Sequence, residues 1–314
     1  MKKLIPKKLK KGDTIGLITP SGIISRKQLT ESIEKVEKLG YKAYYKPSVI
    51  SQYRYLAGTD KERANELMQM FENKKIDAIL CVRGGYGATR ILNLLDYNLI
   101  KKNPKIFIGY SDITALTSAF YKKTGLVSFH GPVGISCFNG FTTEIFQEIV
   151  RKQNTIYKYP YQRETNTNNN SEFDFYALKK GKATGELIGG NLSVITSLIG
   201  TKFEPDFKNK IVFVEEIDER IYRIDRMLTQ IINSTNFKDA AGFAFGIFKD
   251  CENNDTPSFL IKELLTELIS KLNKPSVYGF PIGHTKNNMT IPVGIMAELD
   301  ANNKTLKLIE ASVM

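Results

Sequence analysis

The sequence predicts an α/β protein: an N-terminal, mostly parallel, Rossmann-like sheet with flanking helices, then a smaller C-terminal α/β domain that ends in a β-hairpin. Three observations predict it. Short apolar runs alternate with segments of helical spacing over the first 160 residues, the signature of βαβ units covered on both faces. Arg163–Ser171 (RETNTNNNS) then breaks the pattern with polar, low-complexity sequence suited to a linker. A second alternating series starts at Lys182, and its tail, TIPVGIMAELD-ANN-KTLKLIE, turns at Asn302-Asn303. A chain of 314 residues is about two domains long. The expected division is a first domain over 1–160, a linker over 161–181 and a second domain over 182–314.

Thr14–Thr19 (TIGLIT) reads as a buried strand ending in the loop Pro20-Ser21-Gly22. Ser25 caps a helix that runs to Leu39 and stops at Gly40. Lys42–Tyr45 is the second strand. Thr59 and Glu62 have capping-box spacing ahead of a helix over ANELMQMFENKK. Asp77–Val82 (DAILCV) is the third strand, ending in Arg83-Gly84-Gly85-Tyr86-Gly87, and a helix follows to about Ile100. Lys105–Tyr110 (KIFIGY) is the fourth strand, with Ser111-Asp112 opening the next helix. Leu126–Phe129 is the fifth, before His130-Gly131-Pro132. In the second half, GELIGGNLSVITSLIGT reads as a glycine-rich turn and a short helix. Lys210–Val214, Ala241–Phe248 and Ser276–Phe280 read as strands, and Ile221–Asn233 and Ser258–Leu272 as helices.

At 42% hydrophobic and 25% charged residues, the composition excludes disorder over the whole chain. No apolar run reaches the ~18 residues of a transmembrane helix. The start, MKKLIPKKLKKGDTIG, carries positive charge without the apolar core of a secretory signal. The net charge is +12, half of it in Lys2, Lys3, Lys7, Lys8, Lys10 and Lys11. The rest is spread with alternating signs, and no basic stripe interleaved with aromatics marks a nucleic-acid surface. Three distant cysteines, Cys81, Cys137 and Cys251, fit a reduced protein. The expectation is a cytoplasmic protein with no nucleic-acid and no membrane partner.

In open α/β sheets, ligands bind outside the carboxyl ends of the strands. Ser111 is the sharpest residue there. It stands between an apolar strand and a helix, where its hydroxyl is presented at an elbow and the N–H of the next residue and the helix N-terminus point at an adjacent oxyanion. Helix capping alone also places serines at such positions. A serine nucleophile needs a base. The chain has two histidines, His130 and His284, and spacing does not choose between them. The base needs an orienting carboxylate. Glu215 and Glu216 both follow the strand Lys210–Val214, where a solvated acidic pair is the plainer reading. Gly84-Gly85 let the backbone approach a ligand, as an oxyanion donor or an anion cradle, although no G-x-G-x-x-G or G-K-[ST] is present. Two histidines and no cysteine pair at zinc spacing leave a metal site unsupported.

These residues resemble the LD-carboxypeptidase family of serine peptidases, which includes the microcin C immunity peptidases. The matching stretches are Thr19-Pro20-Ser21-Gly22, Cys81–Gly87, Gly109-Tyr110-Ser111-Asp112, Gly185–Thr201, Phe213–Gln230 and Gly283-His284. The resemblance implies a triad of Ser111, His284 and Glu215, which selects His284 over His130 and Glu215 over Glu216. It implies an oxyanion hole made by the N–H of Gly84 or Gly85 and that of Asp112. It also implies no metal or organic cofactor, a homodimer, and removal of the terminal D-alanine from muropeptide tetrapeptides in cytoplasmic cell-wall recycling. Arg83 is a candidate reader of the substrate's terminal carboxylate. One departure stands out: many relatives have Glu-Asp followed by a glycine where this chain has Glu215-Glu216-Ile217-Asp218.

A microcin C immunity peptidase cleaving acyl-nucleotide amides is the alternative on the same fold. It needs an aromatic platform for the base. The chain has no tryptophan, but Tyr161, Phe173 and Tyr176 lie near the linker. An α/β-hydrolase elbow would need glycine at Ile113. A non-catalytic anion-binding protein, with Ser111 as a mere cap, is the reading from a different class.

Overall fold

The computed structural model describes residues 2–153, 156–161, 171–252 and 258–314. Residues 162–170 of the expected linker lie outside the described residues. In chain order the first elements are β1 (Thr14–Ile18), α1 (Arg26–Lys38), β2 (Lys42–Tyr44), α2 (Asp60–Glu72), β3 (Ala78–Cys81), α3 (Ala88–Ile91), α4 (Tyr97–Lys102), β4 (Ile106–Ile108), α5 (Thr114–Thr124), β5 (Ser128–His130) and α6 (Gly140–Arg151). There follow β6 (Tyr157–Lys158), β7 (Tyr176–Lys179), β8 (Lys182–Asn191), α7 (Leu192–Leu198), β9 (Ile211–Ile217), α8 (Ile221–Ser234), β10 (Gly242–Lys249), α9 (Ile261–Ile269) and β11 (Ser276–Phe280). The last are β12 (Ile291–Val293), β13 (Met296–Asp300) and β14 (Thr305–Leu308).

Two units are formed. The first comprises residues 1–153, 290–294 and 312–314, and the second residues 154–289 and 295–311. The first contains a sheet in the order β12-β5-β4-β3-β1-β2. Its five N-terminal strands are parallel, and β1, β3 and β4 are apolar and almost entirely buried, as a sheet covered on both faces requires. Ile291–Val293 adds antiparallel to Ser128–His130, which brings 290–294, part of the expected 182–314 stretch, into the first unit. Pairing there covers what would be an open edge of β5. Two helices start where their capping residues place them. Ser25 with Gln28 and Thr59 with Glu62 close capping boxes on α1 and α2. The single helix expected as far as Ile100 is broken, because Asp96 accepts from the N–H groups of Asn98 and Leu99 and starts a new helix.

The second unit contains a sheet in the order β6-β14-β13-β8-β9-β10-β11-β7. Strands β8 to β11 are parallel in its centre, and antiparallel strands flank them. The segment GELIGG is part of the ten-residue strand β8, not a turn. Its glycines serve close approach instead: a Cβ on Gly189, at φ 153°, would lie 1.7 Å from the Phe213 carbonyl oxygen. The terminal hairpin β13–β14 forms, with Asp300 accepting from the N–H groups of Asn302 and Asn303 in its turn. Among the described residues, no helix is long and apolar enough to cross a membrane.

Candidate active site

In the first unit, Ser111 lies three residues past the end of β4 and opens a single 3-10 turn over Ser111–Ile113 before α5. Its φ is +62°, the left-handed region that a serine enters only at a cost of about 1–3 kcal/mol. A Cβ on Gly109 would lie 2.8 Å from the Ile113 side chain, so the absence of a side chain at 109 makes room for the isoleucine where other serine elbows use a small residue. Gly84 lies against Ser111, where an added Cβ would be 2.8 Å from the serine Cβ and 3.0 Å from Oγ. Gly85, at φ 104°, faces Gly22 instead. The loop after β1 and the glycine turn after β3 are tied by a hydrogen bond from Gly22 N–H to the Gly84 carbonyl, 3.1 Å.

Asp112 is buried, and its carboxylate accepts from Ala88 N–H at 2.8 Å, joining the serine elbow to the start of α3. Burial raises its pKa, and the Ala88 hydrogen bond and the Arg63 charge act against that rise. Arg83 is half-buried and donates from Nη1 to the Ile23 carbonyl at 2.9 Å. His130 is fully buried on β5, its ring edge-on to Tyr110.

In the second unit, His284 and Glu215 meet. Glu215 lies inside β9, fully buried, and its Oε2 is 2.7 Å from His284 Nδ1. Two glycines clear the space. A Cβ on Gly283 would lie 2.1 Å from Glu215 Oε2, and one on Gly246 would lie 2.9 Å from the Glu215 Cβ. The histidine loop is clamped by Asn288 Nδ2 donating to the Gly283 carbonyl at 2.6 Å. Burial lowers the pKa of His284, but the charge and hydrogen bond of Glu215, with help from Glu216, outweigh it, and the net direction is upward. A carboxylate on Nδ1 fixes the tautomer that carries its lone pair on Nε2.

Glu216 points the other way, as alternation along a strand demands. It accepts from Asn191 Nδ2 at 2.8 Å and from the N–H and hydroxyl of Ser193 at 2.8 and 2.6 Å, so it holds the start of α7. Asp218 takes φ +52° at the end of β9, which an aspartate tolerates better than most residues. Among the described residues, no three His, Cys, Asp or Glu side chains group as metal ligands.

Two family models match this chain: the LD-carboxypeptidase N-terminal domain over residues 15–131 and the LD-carboxypeptidase C-terminal domain over residues 184–299. The chain belongs to the LD-carboxypeptidase family. A relative from Bacillus subtilis (strain 168) named "Probable murein peptide carboxypeptidase" is 39% identical over 98% of this chain and 95% of its own length. The microcin C7 self-immunity protein MccF of Escherichia coli is 31% identical over 95% of this chain and 94% of its own. A solved structure of MccF in complex with glutamyl sulfamoyl guanosine superposes with a TM-score of 0.90 at 29% identity, over 99% of this chain and 100% of that one. The muramoyltetrapeptide carboxypeptidase of Oxalobacter formigenes gives 0.81 at 31% identity, over 94% and 97%.

This LD-carboxypeptidase thus carries Ser111 in the segment matched by one model and Glu215 and His284 in the segment matched by the other. Five residues around these loops were not given a role from sequence. Asn191 and Ser193 sit in the GGNLS stretch, whose match gave no hint that they serve Glu216. Tyr55 and Tyr86 are both exposed, with ring centroids 6.1 Å apart beside the glycine turn. The last is Arg63, buried in the first turn of α2.

Proposed function

We propose that this LD-carboxypeptidase removes the terminal D-alanine from muropeptide tetrapeptides, cutting after the L-centre of a diamino acid. The observation that carries this reading is the Glu215–His284 pair: a fully buried carboxylate on Nδ1 is what a general base at Nε2 requires. Ser111 is assigned the attack on the scissile carbonyl, with His284 taking its proton. Glu215 holds the imidazole and stabilises the imidazolium. His284 then protonates the leaving D-alanine amine, and water releases the acyl-enzyme. The oxyanion is assigned to the N–H of Gly84 or Gly85 and that of Asp112. Arg83 is assigned the terminal carboxylate. The nucleophile belongs to the N-terminal domain and the base and its carboxylate to the C-terminal one. We further assign the enzyme to the cytoplasm, as a homodimer. The murein-directed names of the Bacillus and Oxalobacter relatives support the substrate class.

The test is incubation of the purified protein with a panel of tetrapeptides that differ in the diamino acid. Free D-alanine from wild type and none from Ser111→Ala is the expected result. A second reading, cleavage of acyl-nucleotide amides, is favoured by the likeness to MccF and by an aromatic cluster in the second unit. There Tyr161 stacks on Phe175 at 3.9 Å in a pocket also lined by Phe173 and Tyr176. Aminoacyl sulfamoyl nucleosides run beside the tetrapeptides decide between the two.

A further inference from the structure

Arg63 sits in the first turn of α2, in Asp60-Lys61-Glu62-Arg63. Its side chain has no solvent exposure at all. The guanidinium donates from Nη1 to the carbonyl of Pro20 and, at 2.9 Å, to that of Gly87, and from Nη2 to Asp60. The two carbonyls belong to different strand-end loops. Pro20 lies after β1, and Gly87 closes the glycine turn after β3. These are the loops joined by the Gly22–Gly84 hydrogen bond, and Gly84 is the residue packed on Ser111. The third strand end, after β4, reaches the same turn through Asp112 and Ala88 N–H.

The glycine turn has little with which to hold itself. Gly85 and Gly87 adopt φ 104° and 129°, and neither has a side chain to pack. A donor that stabilises an oxyanion must nevertheless stay within about 2.7–3.1 Å of the developing charge. Arg63 supplies what the turn lacks: a planar donor array on a 13-residue helix closed by a capping box. Burying a guanidinium is costly unless it is paired. Burial does pull its pKa down, and Asp60 holds it up. A methionine would fill the same volume without that cost. What it would not do is grip two loops at once.

We propose that Arg63 is a positioning residue that fixes the oxyanion-hole turn against Ser111. This rests on the reading of Ser111 as nucleophile and of Gly84-Gly85 as part of the hole. The experiment measures kcat, KM and melting temperature for Arg63→Lys, which keeps the charge and loses the planar array, and for Arg63→Ala. A misplacement near 1 Å costs about 10²-fold. The expected kcat in Arg63→Lys is therefore lower by roughly 10- to 100-fold, with KM within about threefold of wild type. Guanidinium ion added to Arg63→Ala restores part of kcat without restoring its melting temperature. Lys105 is the control. It is a buried cation gripping the far end of α2 through the carbonyls of Met70 and Asn73, so Lys105→Met should melt earlier and keep its kcat. A folded Arg63→Lys with wild-type kcat, or with its loss confined to KM, overturns the proposal. If wild type releases no D-alanine from any tetrapeptide, the substrate reading fails instead. The rate of Ser111 labelling by a fluorophosphonate then reads Arg63 alone, because the phosphonyl oxygen uses the same hole. Labelling slowed tenfold or more in Arg63→Lys supports the proposal, and unchanged labelling overturns it.

Discussion

At Ser111 the backbone is bent into the left-handed region, and a glycine lies where a Cβ would be 2.8 Å from the serine. At Glu215 the backbone is plain β-strand, and a buried ion pair at 2.7 Å sets the geometry. One corner is defined by shape and the other by charge. Each therefore has its own failure mode: an added methyl for the first, a lost charge or a wrong pH for the second.

The deepest break removes a group assigned to the reaction from either corner. Ser111→Ala and His284→Ala should each lower kcat for D-alanine release by about 10⁶, and the double variant should be little worse than either single one. A Ser111→Ala enzyme that keeps a tenth of the wild-type rate would falsify the nucleophile assignment.

Next comes the charge of the second corner. Glu215→Gln is nearly isosteric, so its melting curve should stay cooperative while kcat falls by about 10²–10⁴, the upper end being the loss that the equivalent change causes in Ser–His–Asp proteases. The pH profile sharpens this. His284 must be neutral to act as base, and its pKa is raised, so kcat/KM should fall on acidification with a midpoint above the ordinary histidine value of ~6.5. In Glu215→Gln that midpoint should move down. The stability sign follows the same direction. Because the folded pKa lies above the unfolded one, the pair stabilises fully below the unfolded pKa, and that contribution is lost as pH rises through the folded pKa. An acid limb unmoved by the amide would show that Glu215 does not tune His284.

The shape of the first corner is tested by Gly84→Ala. The added methyl must displace either Ser111 or the turn, and kcat should drop by about 10²–10³, the usual loss when one oxyanion donor is removed, with little change in the pH midpoint. A shifted acid limb in this variant would blur the division between the corners. The smallest effect on turnover is expected from Glu216→Gln. Its amide would set an N–H group against the donors of Ser193, costing about 1–3 kcal/mol and several degrees of melting temperature, while kcat stays within a few-fold of wild type. A Glu216→Gln enzyme that is stable but inactive would reverse the roles of the two glutamates.

Much of this was legible because it is local. Ser25 and Thr59 announce their helices through side chains three residues away, and KIFIGY-Ser-Asp announces an elbow through its own apolar run. The positive φ of Ser111 was not legible, since a serine at φ +62° is written with the same letter as one in an extended or helical backbone. Glycine itself misled at 185–190. There it permits neighbouring strands to approach and not the chain to turn, and a single sequence writes both uses with the same letter. Arg63 was hidden for a different reason. Its partners, Pro20 and Gly87, offer backbone carbonyls, and a carbonyl has no residue type to recognise.

The edge strand β12 has a consequence for how the protein is made. Synthesis proceeds from the N-terminus, so β1 to β5 emerge long before Ile291–Val293 is available to pair with Ser128–His130. Throughout translation of the second unit, the first sheet waits with β5 exposed as a template for any passing strand. A fragment ending at residue 153 would be frozen in that state. It would carry the serine elbow yet lack its closing strand, and it should appear as aggregate where the full chain is dispersed. The sheet that carries Ser111 is begun first and finished nearly last.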